Sequence, residues 1–193
     1  MNRLSIPLLA VSLLAGAAFA QHGGHGAHGT HGAPGAAATP YAGMQAREIK
    51  ALSPQDARSL LEGQGMQLAL AAELNGYPGP SHVLEHADAL RLTREQRDAT
   101  QALMQAHKAE ARALGEQLVQ AERDLDEAFR SRALTEAAID RHTAAIAQLQ
   151  GQLRAAHLRT HLRQTALLTP QQVAHYQQLR GYATAARHGA HHR

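Results

Sequence analysis

Two five-residue stretches echo one another: Leu92-Thr93-Arg94-Glu95-Gln96 and Leu168-Thr169-Pro170-Gln171-Gln172. In each, the Thr hydroxyl suits a helix N-cap, accepting an N–H from the first turn, and the Gln three residues on can reach back to the Thr amide. Both copies predict helix starts. Pro170 stands at the first helical position, where a missing N–H costs nothing, which makes the second start firmer. Between the echoes, one stripe runs Met104, His107, Ala111, Leu114, Leu118, Ala121, Leu125 and Ala128, and a second Ile139, His142, Ile146, Leu149, Leu153 and Ala156. Steps of three and four predict two long helices with heptad-like seams, the first ending near Phe129 and the second capped by Thr135. At 1.5 Å per residue each arm is on the order of 50 Å long.

The flanks are shorter. Ser53 and Pro54 predict a helix start ahead of Leu60, Leu61, Leu68, Leu70 and Leu74, with Gly63 and Gly65 interrupting it. Asn75 to Pro80 breaks the chain, and Ser81 is expected to cap a short helix carrying His82 and His86. The helix that starts at Leu168 to Gln172 carries Val173, Tyr176, Leu179 and Tyr182, and is expected to fold back across the hairpin's open end. The fold class is therefore all-α: a long antiparallel helical hairpin, flanking shorter helices and disordered His-rich tails.

Composition marks the segments. Met1 to Ala20 has one cation, an apolar run from Leu4 and Ala18-Phe19-Ala20 as a small-x-small cleavage site, which describes a cleavable signal peptide; a retained anchor would need a longer apolar run. Residues 21–40 are mostly His, Gly and Ala, too polar to offset the entropy of ordering. Residues 41–80 form a helical extension, 81–184 the hairpin domain and 185–193 a tail with His188, His191 and His192. With no cysteine, an exported fold rests on packing alone, and any metal must use His, carboxylate or Met. The 19 Lys and Arg barely exceed the 16 Asp and Glu and are scattered among them, which argues against nucleic acid as a partner.

The repeated L-T-x-x-Q framing a helical hairpin in an exported, cysteine-free chain resembles the Spy/CpxP family of periplasmic stress proteins, related to periplasmic heavy-metal sensor and metal-resistance proteins. The resemblance covers roughly Ser81 to Tyr182. It implies a periplasmic, ATP-independent chaperone, a homodimer whose clients are unfolded periplasmic proteins. In the related nickel and cobalt sensors an H-x-x-x-H pair before the first long helix binds metal with a carboxylate and a later His and Met. His82 and His86 match that pair, His157 and His161 replace the later pattern, and Met104 falls near the carboxylate's place.

The residues themselves point to metal in two places. His22, His25, His28 and His31 recur every third residue, letting a flexible backbone wrap imidazoles round Zn(II), Cu(II) or Ni(II); the plainer reading is a polar spacer. In the hairpin, folding about residue 132 sets His107 opposite His157 and Met104 opposite Thr160 and His161, with His82 and His86 turned towards the same end. Five imidazoles and a thioether suit a transition metal. Against this, histidines on apolar seams are more often core residues held by hydrogen bonds, a role expected for His142 opposite Glu122.

Two functions compete. One is the chaperone, with apolar patches among Arg94, Arg97, Arg112, Arg123, Arg154, Arg159 and Arg163. The other is a metal sensor or metal buffer whose ion shifts the hairpin or its docking on a membrane sensor protein. No cofactor is required by either, and an enzyme is not expected: no nucleophile and base, carboxylate dyad or phosphate loop is present.

Overall fold

Thr93 and Thr169 do what their spacing predicts. The Thr93 hydroxyl accepts the Gln96 N–H and the Gln96 side chain accepts the Thr93 N–H, opening α4 (Arg94–Arg130). The same box at Thr169 and Gln172 opens α6 (Pro170–Leu179). Thr135 caps α5 (Glu136–Ala166). These elements come from a computed structural model, which describes residues 39–132 and 134–182. The expected signal segment, most of the residue 21–40 tail and the C-terminal histidines lie outside the described residues.

Helices α4 and α5 are the antiparallel arms. Gln164 donates to the Thr100 hydroxyl at 3.1 Å, and the His107 and His157 rings meet at 4.4 Å between centroids. Both pairs fit a fold axis at residue 132. The expected seams close the hairpin: Ala111, Leu118, Ile146, Leu153 and Ala156 are buried, with Leu114, Ala121, Leu125 and Leu149 packed against them.

The residue 41–80 extension lies along α4. A 3₁₀ turn, Met44–Ala46, leads to α1 (Pro54–Leu61), whose Ser53 and Asp56 form a capping box. The ion pairs Lys50 to Asp126 (3.4 Å) and Arg123 to Glu48 (3.0 Å) pin its approach. The helix that the leucines predict does not run on. It ends at Leu61, where Gly63 takes φ +63°, a conformation open to glycine at little cost. The chain re-forms a single turn, α2 (Leu70–Glu73), and then α3 (Pro80–Glu85). Here two expectations are corrected. Gly79, not Ser81, occupies the N-cap of α3 because Pro80 takes the first helical position, and His86 is already its C-cap.

Glycine is a poor helix former, yet Gly115 stands in the middle of α4. It is buried, and a Cβ there would lie 2.1 Å from the Leu60 carbonyl oxygen. Glycine is what lets the α1 backbone rest on α4, so Val119, one turn on and outside the predicted stripe, joins the core with Leu60 and Ile49. A second core forms at the open end, where Tyr176 of α6 packs with Val83, Ala87, Leu90 and Leu92. That is the expected fold-back of the last helix.

Two stability outcomes follow. Gly115→Ala gains about 1 kcal/mol of helix propensity but meets a backbone oxygen, and overpacking of that kind costs about 3 kcal/mol. A net loss of about 2 kcal/mol in a urea titration is expected, and a more stable variant would contradict the close approach. Gln96 Nε2 donates to the Leu167 carbonyl and Gln172 Nε2 to the Leu90 carbonyl, both in partly buried hydrogen bonds, so Gln96→Glu and Gln172→Glu, which remove those donors, should each cost about 2 kcal/mol. A double-mutant cycle with alanine at both positions should show about 1 kcal/mol of coupling; additive effects would mean that the two side chains do not act on each other.

Candidate metal centre

Where α4, α5 and the segment between α1 and α3 meet, a cavity of about 560 Å³ is lined by His82, Met104, His107, His157, Thr160, His161, Glu73, Arg180 and others. Each donor is placed by local structure. His107 and His157 sit at facing positions of the two arms, and His161 is one turn beyond His157. Met104 precedes His107 by one turn, and His82 lies in α3.

The ring nitrogens are set by their partners. His157 Nδ1 lies 3.0 Å from the Leu153 carbonyl, which only accepts, so Nδ1–H donates. In the neutral ring Nε2 then carries the lone pair, and it is buried with no hydrogen-bond partner. His161 repeats the arrangement: Nδ1–H donates to the Tyr77 carbonyl at 2.8 Å, leaving Nε2 as the lone-pair nitrogen. A carbonyl behind an imidazole is the usual way a metal-binding histidine is oriented. Gly79 makes room for that ring, since a Cβ there would come within 2.8 Å of it. His107 Nδ1 is also buried and unpartnered. Burial first, and the facing His157 second, lower the His107 pKa to about 4, so this ring is neutral at pH 7.

The remaining expected residues are placed differently. His82 lines the cavity, but its Nδ1 is 3.1 Å from Glu85 Oε2, a hydrogen bond that holds the Glu85 carboxyl below its usual range. His86 does not line it; its ring stands edge-on to Tyr176 at 6.5 Å. His22, His25, His28 and His31 are outside the described residues. Burial raises the Glu122 carboxyl above its usual range, and among the described residues no hydrogen bond or ion pair joins it to His142, so the partner expected for that ring is not engaged. Among the described residues, no three His, Asp or Glu side chains stand close enough together, as oriented, to hold a metal ion.

Sequence reasoning missed Glu73. No residue of the 41–80 extension is among the expected site residues, yet Glu73 is buried and lines the cavity. The Tyr176 hydroxyl donates to its Oε1 at 2.5 Å, the Tyr182 hydroxyl lies 3.3 Å from the same oxygen, and Arg180 Nε 3.6 Å. Its one signal was isolation: it is the sole charged residue between Glu62 and Glu85.

An all-α hairpin, clasped at its open end and holding imidazoles and a thioether round one cavity, defines the class of protein. The model of the heavy-metal resistance family matches residues 66–175, more than half of the 193 residues, and the chain belongs to that family. The family is grouped in the Spy/CpxP-like clan and is not known as enzymatic. No curated protein and no solved structure matches the chain. No helix among the described residues is long and apolar enough to cross a membrane.

The His107 environment sets a pH dependence. The unfolded chain takes up a proton at this ring near pH 6.5, the folded chain only near pH 4. The stability that this residue contributes is therefore complete above about pH 6.5 and lost as the pH falls towards 4. Urea midpoints measured between pH 7 and pH 4.5 should decline less steeply in His107→Gln than in the parent. Parallel declines would mean that the ring does not titrate in this way.

Proposed function

We propose that this chain is an exported, periplasmic metal-resistance protein that takes up a transition-metal ion, Zn(II), Cu(II) or Ni(II), in the cavity between its arms. His107, His157 and His161 would supply nitrogen, and Met104 a thioether. The observation that carries this reading is the pair of buried, unpartnered nitrogens, His157 Nε2 and His107 Nδ1, on facing rings 4.4 Å apart. Each such atom in a core costs about 1–3 kcal/mol, a cost that a bound cation removes. Because no triad is preassembled, binding turns the side chains inward and stiffens the junction of α4, α5 and α3. That change is what a membrane sensor protein or a second copy of the chain would read. The His-rich tail, from His22 to His31, acts as a weak store that raises the local concentration of the ion.

A second reading is favoured by a separate observation. Leu61, Met66, Leu70, Leu74 and Tyr77 are exposed along one short stretch, beside the guanidinium groups of Arg112 and Arg154. Apolar patches rimmed by charge suit weak, reversible capture of unfolded clients without ATP, as in a Spy/CpxP-like chaperone.

Equilibrium dialysis of the chain from residue 21 with each ion tests the first reading. Removing residues 21–40 should leave one ion bound, and His107→Ala with His157→Ala should weaken it at least ~10-fold. Binding that disappears with the tail and ignores the helix substitutions would defeat the cavity site. Suppressed aggregation of a denatured client, in metal-free or metal-loaded form, supports the second reading; unchanged aggregation in both forms removes it.

A further inference from the structure

Cations and acids are interleaved only as far as Asp140. All 16 acidic residues lie between Glu48 and Asp140, whereas Arg141 to Arg193 holds seven arginines and no acid. Four of those arginines stand on α5, and they are not spent inside the fold. Arg141, Arg154, Arg159 and Arg163 are exposed; Arg159 meets Glu110 at 3.1 Å, and the other three join no ion pair among the described residues. Between them runs a strip without charge: Ala144, Ala147, Gly151, Ala155, Leu158 and Leu162, three or four residues apart and so on one face of the helix. It turns away from the buried Ile146, Leu153 and Ala156, and Leu162 near its end is 60% exposed. By helical geometry Arg154 flanks the strip on one side, Arg159 and Arg163 on the other, and the strip is about 27 Å long. Beyond Arg154 the apolar surface continues in the exposed Leu70 and Leu74.

A face with this pattern fits one partner best. A second copy docked by a two-fold axis through α5 would set Arg154, Arg159 and Arg163 against themselves, and a head-to-tail contact with the acids of α4 builds rings or filaments. A soluble acidic polypeptide would meet the guanidinium groups but leave the strip between them with nothing apolar to cover it. An anionic bilayer surface meets both features at once. Its phosphates lie at the level that the long Arg side chains reach, and its acyl boundary receives the leucines and alanines between them. We propose that the outer face of α5 is a docking surface for anionic phospholipid, holding the protein on a membrane that no described helix crosses. The inference stands on the distribution of charge and does not depend on the metal reading. Each Arg brought to such a surface strengthens binding roughly fivefold, and added salt screens the attraction.

The test is flotation of the metal-free chain from residue 21 with vesicles of phosphatidylcholine, alone or mixed in equal parts with phosphatidylglycerol. Binding to the mixed vesicles only, weakening as salt is added, supports the proposal. So does a loss of at least ~10-fold when Arg154, Arg159 and Arg163 are all changed to Gln, and a several-fold loss in Leu162→Gln, at near-unchanged thermal midpoints. The same change of charge made on α4, in Arg94→Gln with Arg97→Gln and Arg130→Gln, should leave the affinity as it was; an equal loss would mean net charge alone and overturns the proposal. Absence of binding to the mixed vesicles, or equal binding to both kinds, also overturns it. Polyglutamate bound as tightly as the mixed vesicles would assign the face to acidic polypeptide, and lipid-free self-association that the α5 variant abolishes would assign it to a second copy; either result overturns the lipid. Should the α5 variant fail to fold, the unaltered chain decides. In anionic bicelles carrying a spin-labelled lipid, the amides of residues 154–163 should broaden more than those of residues 94–130, and uniform broadening overturns the proposal.

Discussion

Gln96 and Gln172 donate to each other, Gln96 Nε2 to Gln172 Oε1 at 2.9 Å and Gln172 Nε2 to Gln96 Oε1 at 3.0 Å. Each oxygen also accepts the N–H of its own capping Thr, and each amide nitrogen also donates to a main-chain carbonyl just ahead of the opposite motif, Leu167 for Gln96 and Leu90 for Gln172. A primary amide has two N–H donors and two lone pairs; here all are used, in both residues. The arrangement explains why glutamine, and not the glutamate that serves equally well in an ordinary capping box, stands third after each Thr. A carboxylate would accept from the Thr but face two other acceptors with no proton to give.

The rest of the structure hangs on that clasp. The loop end of a helical hairpin is tied covalently, but its open end is free to splay, and one residue of slippage would carry His107 away from His157. By joining the start of α4 to the start of α6, the paired amides fix the register there. Thr100 and Gln164 continue it one turn further in, and the imidazole pair follows two turns beyond. Tyr176, carried on the clasped helix, then reaches back to Glu73 on α2. The cavity is therefore bounded in part by two segments that would not hold their place alone: α2 and α3 are each shorter than two turns, below the length at which helices persist unaided.

What could be read in the sequence was what is encoded locally. Thr93, Thr135 and Thr169 mark helix starts through contacts within one turn, and steps of three and four mark the seams, so the hairpin and the facing of positions 107 and 157 followed from counting. The positions that escaped depend on contacts distant in sequence. Gly115 looks like a weak point until the Leu60 carbonyl is placed against it. Glu73 looks like a solvated acid until a tyrosine 103 residues away donates to it. His86 lies four residues after His82, but α3 stops at Glu85 because the chain must turn into the Leu90 and Leu92 core, so the helical spacing no longer governs where that ring goes.

The imidazole pair goes against the local logic of the fold. Position 107 falls on the mostly apolar stripe of α4 and position 157 lies one turn beyond Leu153 on α5, and two aliphatic side chains there would close the seam with no unsatisfied atoms. Instead the chain places two rings edge to face, one of them neutral at pH 7, and leaves a nitrogen of each without a partner. Gly79 gives up a side chain to admit a third ring, and the Leu153 and Tyr77 carbonyls turn the lone pairs of His157 and His161 to Nε2. A sequence otherwise consistent from caps to core departs from consistency at one cavity. Such departures concentrate where a fold gives up stability for binding. The atoms left bare round it are ring nitrogens of His107 and His157, one oxygen of Glu73 and Nε of Arg180, polar groups that an aliphatic seam would not have buried.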